Sequence, residues 1–215
     1  MTWPIPFDEV CSVCGEKVTT ERYAAYTTFY TDLDGMPHGT GINPQFTLLG
    51  QCPKCGFSAS KLDEKIPNVK EILESVEYKE IINSTYNSNV KKFICRSMIE
   101  TWLGKKKEAG WCLLYATWAL SRNEGNSYRV KTCEMIQGFL DDIDEEDRWR
   151  NAVVVADVYR QASEFLKAKS ICNEWINKVD EKAQAFFQQE LELIASQDVG
   201  RHRPKDALKE FQKKG

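Results

Sequence analysis

Two short runs decide how this chain begins to fold: Cys11-Ser-Val-Cys14-Gly15 and Cys52-Pro-Lys-Cys55-Gly56. Two residues between the cysteines of each run let both sulfurs reach one ion. The glycine that follows can take the positive φ at which backbone amides turn toward those sulfurs. Zinc in structural sites takes four ligands in a tetrahedron, and thiolates suit this borderline-soft ion. Cys11, Cys14, Cys52 and Cys55 are therefore expected to bind one structural Zn(2+) ion. A closed shell of four thiolates leaves no position for water or substrate, so the ion is expected to hold a fold together and not to catalyse. The competing assignment, a redox dithiol at one hook, lacks the strand-then-helix setting of such motifs.

Working outward, 37 residues run from Gly15 to Gln51, which is long for the spacer of a zinc ribbon. Arg22 to Tyr30 and Gln45 to Leu49 are rich in Thr, Tyr and Phe, and are expected to pair as strands that return the second hook to the first. Between them Thr31 to Pro44 is dense in turn formers. Asp32, Asp34 and His38 in this loop could coordinate a second ligand. The plainer expectation is that Asp-Gly and Asn-Pro make turns and that the aspartates accept from nearby amides.

Composition changes after Lys61. The first 60 residues are rich in Gly, Pro, Thr and aromatics and hold four of the chain's eight cysteines, whereas the rest reads as helix after helix. The expected fold class is α+β, with a zinc-ribbon domain over 1–62 carrying a long hairpin insertion and an all-α, tetratricopeptide-like domain of helical hairpins over 63–215. Apolar residues at three- and four-residue spacing place helices near 89–103, 126–141, 147–162, 165–179, 181–198 and 206–213. Breaks fall at Gly104, Gly125, the acidic run Asp141 to Asp147, Asp180 and Gly200 to Pro204. Nothing repeats cleanly at the tetratricopeptide period of about 34 residues, so a plain helical bundle stands as the alternative. Cys95, Cys112, Cys133 and Cys172 lie singly among apolar residues and are expected to be small buried hydrophobes.

The most apolar run, Ala109 to Leu120, spans about a dozen residues, short of the roughly 20 that cross a membrane, and is expected to be a core helix. The N-terminal run MTWPIPFDEV has no basic segment followed by an apolar one, so a cytoplasmic protein is expected. Residues 1–60 carry a net charge of −3, and four thiolates around a divalent ion would add more negative charge. Such a ribbon is a poor phosphate binder. The tail from Arg201 to Lys214 is net +4 and offers the one stretch suited to an acidic partner. Catalytic signatures are missing: there is no phosphate loop, no nucleophile elbow and no HExxH, and the two histidines, His38 and His202, are far apart in sequence. No enzyme activity is expected.

The order Cys11, Cys14, Gly15, Arg22, Asp32, Asp34, Asn43, Pro44, Phe46, Cys52, Pro53, Cys55, Gly56, Phe57 resembles an uncharacterised bacterial family catalogued as domain of unknown function 2225. That resemblance implies a four-cysteine zinc ribbon followed by tetratricopeptide-like helices, and it implies no activity. The expected function is a non-catalytic zinc-binding protein that engages a protein or peptide partner through its helical surface, without nucleic acid or membrane. The alternatives are a nucleic-acid-associated regulator using the ribbon and basic tail, and a thiol or zinc redox sensor in which one hook oxidises and releases metal.

Overall fold

In a computed structural model of the chain, residues 3–40, 44–121 and 124–205 are described. The fold is α+β: small β-hairpins carrying the four cysteines come first, and eight helices follow among the described residues. The strands are β1 (Ile5–Val10), β2 (Lys17–Arg22), β3 (Thr28–Thr31), β4 (Pro37–Gly39), β5 (Gly50–Gln51) and β6 (Ser58–Ala59). They form separate two-stranded sheets, β1 with β2, β3 with β4 and β5 with β6.

This arrangement corrects the expected pairing of 22–30 with 45–49. Lys17 to Arg22 pairs antiparallel with Ile5 to Val10, in the register Val10 opposite Lys17 and Ile5 opposite Arg22. Pro44–Thr47 is a 3₁₀ turn and not a strand. A two-residue knuckle closes most cheaply on the residues beside it, so each hook is flanked by its own hairpin instead of by one long shared one.

The helices are α1 (Val69–Leu73), α2 (Val76–Asn83), α3 (Ser88–Trp102), α4 (Lys106–Ala119), α5 (Asn126–Gln137), α6 (Glu145–Gln161), α7 (Phe165–Trp175) and α8 (Glu181–Ala195). Side-chain caps mark several starts: Ser75 accepts from the amide of Tyr78, Asn87 from Val90 and Asp180 from Ala183. The stretch expected as a core helix is α4, with Ala109, Leu113, Leu114, Ala116 and Trp118 buried. Trp102 lies exposed at the end of α3 while Cys95 and Ile99 turn inward. The helix expected over 206–213 lies outside the described residues.

The chain divides into two compact units that do not follow the 1–62 and 63–215 division. The first comprises Met1–Thr28 with Gly39–Leu120, and the second Phe29–His38 with Ser121–Gly215. In the first unit the ribbon and helices share one core. Cys11, Cys52, Phe57, Ala59 and Leu62 are buried in a single cluster with Val69 and Leu73 of α1, Tyr78 of α2 and Cys95 and Ile99 of α3. A ribbon of about 60 residues buries too little apolar surface to stand alone, and α1 to α3 supply what is missing. Arg96 of α3 adds a polar tie, bonding the carboxylates of Glu64 at 2.8 Å and Glu100.

In the second unit consecutive helices pack in sequence, α5 on α6, α6 on α7 and α7 on α8, with α6 also touching α8. Its buried apolar residues include Cys133, Ile136, Ala152, Val155, Ala156, Ala168, Cys172 and Phe187, which matches the helical spacing of the sequence. Burial pushes the Cys95 thiol up to about 11 and Cys172 up to about 12, as expected of inert, space-filling cysteines. No helix among the described residues is long and apolar enough to cross a membrane.

Candidate metal centre

The two knuckles are built alike. After β1, the amide of Cys11 donates to Glu16 O at 2.9 Å and the amide of Gly15 to Cys11 O at 2.8 Å. Before β6, the amide of Cys52 donates to Phe57 O at 2.9 Å and that of Gly56 to Cys52 O at 2.9 Å. Gly15 and Gly56 sit at φ +72° and +76°, the left-handed region that only glycine enters at no steric cost. Two equivalent turns thus project four sulfurs to one point.

All four Sγ atoms lie within 4.8 Å of one another, with Cys11 to Cys55 at 3.6 Å and Cys14 to Cys52 at 3.5 Å. Zinc–sulfur bonds of about 2.3 Å in a tetrahedron place their sulfurs about 3.8 Å apart. A disulfide needs about 2.05 Å, and all eight cysteines are free thiols. The donor set and spacing fit a single thiophilic ion such as zinc. Among the described residues this is the one cluster of three or more His, Cys, Asp or Glu side chains arranged to hold a metal.

Electrostatics point the same way. Burial pushes the thiols of Cys52 and Cys55 up. Burial opposes ionisation at Cys14 as well, yet the backbone amide of Glu16 and the neighbouring thiols hold it below the ordinary cysteine value. Four anionic sulfurs cannot share such a site unaided, and a divalent cation reverses that balance.

The second knuckle is braced from below. Tyr78 of α2 is fully buried and donates its hydroxyl to Gly56 O at 2.8 Å. A Cβ at Gly56 would lie 2.7 Å from Cδ1 of Ile82, also on α2, whereas a Cβ at Gly15 would meet nothing within 4 Å among the described residues. The sequence reading missed Tyr78, and the signal available was weak: one aromatic on a short amphipathic helix.

Asp32, Asp34 and His38 belong to the second unit and serve as tethers. Asp34 is completely buried; its Oδ1 accepts from the amide of Met36 at 3.0 Å, the turn bond expected of an Asp-Gly sequence. Its Oδ2 accepts from Arg201 Nε at 2.6 Å and from Gln161 Nε2 at 3.2 Å. Asp32 pairs with His38 at 2.6 Å, and His38 stacks on Tyr30 with ring centroids 4.7 Å apart. His202, the other histidine, pairs with Asp198 at 3.0 Å.

Behind Asp34 lies a buried ionic network that the sequence did not reveal. Arg160 of α6 is fully buried and bonds Glu190 of α8 at 2.9 Å, Asp157, and the carbonyls of Asp198 and Gly200. Gln161 bridges Asp157 to Asp34. Among the described residues Glu190 Oε1 has no hydrogen-bond donor. Burial pushes the carboxyls of Asp157 and Glu190 up, each raised further by a neighbouring carboxylate. The one sequence signal was charge inside an apolar face, Ala156-Asp-Val-Tyr-Arg160.

No family model, curated protein or solved structure matches the chain. The four-cysteine cluster followed by packed helices is consistent with a zinc ribbon joined to a helical region.

Proposed function

We propose that Cys11, Cys14, Cys52 and Cys55 hold one structural zinc ion, and that the protein is a non-catalytic, cytoplasmic interaction module whose helical unit receives a protein or peptide partner. The zinc half rests on four sulfurs converging at tetrahedral spacing, Cys11 and Cys52 within the core of the first unit and Cys14 and Cys55 packed against it. Its role is to complete that core, since metal binding to such a site is folding free energy.

The partner half rests on a cleft of about 340 Å³ in the second unit. Trp149 of α6 and Trp175 of α7 line it together with the carboxylates of Asp141, Glu145, Glu174 and Asp180. Among the described residues two cations, Arg148 and Lys178, share the lining; Arg148 is spent on the carbonyls of Asp141 and Ile143 and Lys178 on Glu174 and the Trp175 ring, which leaves Asp141, Glu145 and Asp180 without a cation in the lining. Aromatic faces beside acidic groups favour a basic segment, whose Lys or Arg side chains can stack and pair at once. A nucleic acid would meet repulsion here. Helical modules bind through such grooves.

The test is affinity capture from cell extract with zinc-loaded wild-type protein and a Trp149→Ala, Trp175→Ala variant, each checked for zinc by elemental analysis. One zinc per chain and a basic partner kept by wild type but lost by the variant are expected. Zinc-free protein purified without chelator would overturn the metal half and bring forward the redox alternative. Equal capture by both proteins, or none above background, would overturn the partner half.

A further inference from the structure

The first unit holds a second cleft, of about 710 Å³, that neither the cysteine cluster nor the helical surface of the second unit uses. Its size lies within the roughly 300–1,000 Å³ of small-ligand sites, which are mostly apolar with a few convergent polar groups. Trp3, Tyr23 and Phe46 form its aromatic walls. Trp3 leaves 67% of its surface in water, an unfavourable position for the largest apolar side chain unless something covers it.

Lys92 of α3 lines the same cleft. Its ammonium donates to Phe46 O, which satisfies one of three N–H groups. Among the described residues no carboxylate lies at ion-pair distance from it; Glu21, also in the lining, acts on it only through longer-range attraction. Burial consequently pulls the lysine down to about 8. A half-buried cation without a counter-ion costs free energy that an arriving anion would recover. Ser88 and Asn89, the first two residues of the 15-residue helix α3, line the cleft as well, and the leading amides of a helix lack intrahelical acceptors and favour negative charge.

We propose that this cleft binds an amphipathic organic monoanion, its carboxylate set against Lys92 and the first turn of α3 and its apolar body against Trp3, Tyr23 and Phe46. A cationic ligand is excluded by Lys92. A neutral apolar one would leave the ammonium with the Phe46 carbonyl and the Phe93 ring but no counter-charge. Glu21 on the lining turns away ligands of high negative charge, which separates this site from a phosphate or nucleic-acid site. The site is independent of the partner cleft in the second unit.

The experiment is calorimetric or NMR titration of the zinc-loaded full chain with octanoate, alongside acetate as the headgroup alone and octyltrimethylammonium as the same tail with opposite charge. Octanoate should bind at least about tenfold more tightly than either control. Lys92→Met should weaken octanoate about tenfold or more, and Trp3→Ala, at an exposed position that leaves folding intact, should weaken it several-fold. Affinity for octanoate should fall as pH rises through about 8, where Lys92 loses its proton. Absence of octanoate binding at millimolar concentration would overturn the proposal. So would equal binding of the ammonium analogue, or unchanged affinity in both variants.

Discussion

Asp34 and Arg201, 167 residues apart in the chain, meet at 2.6 Å through Oδ2 and Nε. Asp34 lies between the two cysteine hooks, in the stretch Phe29–His38 that folds with the second unit. Asp34→Asn keeps an acceptor for the Met36 amide and removes the charge, so its cost reports on the tether and not on the turn. Breaking a fully buried pair costs about 3–5 kcal/mol. Arg201 keeps 27% of its side chain exposed and can partly rehydrate, which brings the expected loss to about 2–3 kcal/mol. Urea unfolding should show it, and hydrogen exchange should locate the lost protection in residues 29–38. An unchanged midpoint would mean the pair contributes nothing.

Glu190 and Asp157 share one arginine, and among the described residues Glu190 Oε1 lacks a donor. A proton held between the two carboxyls would satisfy it. A carboxyl raised by burial in the folded state keeps its proton where the unfolded chain has released it, so this group's contribution to stability is fullest below the ordinary glutamate value and falls as pH rises from there toward the folded one. Glu190→Gln supplies a permanent donor in the same shape. The difference in unfolding free energy, variant minus wild type, should therefore grow with pH across that window; a flat difference would show that Glu190 is ionised throughout.

Tyr78→Phe removes one hydroxyl and leaves Gly56 O to its longer contacts, Gln51 Nε2 at 3.3 Å and Ser58 Oγ at 3.4 Å. The expected destabilisation is about 1–2 kcal/mol. Because the Gly56 amide closes the second knuckle on Cys52 O, zinc should also leave faster for a chelator than from wild type. Stability loss with unchanged zinc release would confine Tyr78 to packing.

Some of this molecule was written locally. The spacing within each hook, the glycine after it, and the three-and-four rhythm of Ala152, Val153, Ala156 and Tyr159 or Ala168 and Cys172 depend only on residues a few positions apart. Knuckles, helices and their buried faces follow from such short-range geometry. The strand partners were not legible, because β-propensity says that a segment fits a pleated surface and not which segment lies beside it. Ile5 to Val10, which reads as an unremarkable N-terminus, is the partner of Lys17 to Arg22.

By itself the sequence determined the four-sulfur centre and the succession of helices, since both are set by spacing along one stretch of chain. Only the tertiary structure decided that α1 to α3 complete the core beneath the cysteines, that Asp34 faces Arg201, and that Arg160 and Glu190 meet in the interior. Those relations depend on which distant groups must satisfy one another once water is excluded. A buried charge or an undersized core has to find its partner somewhere, but composition does not say where.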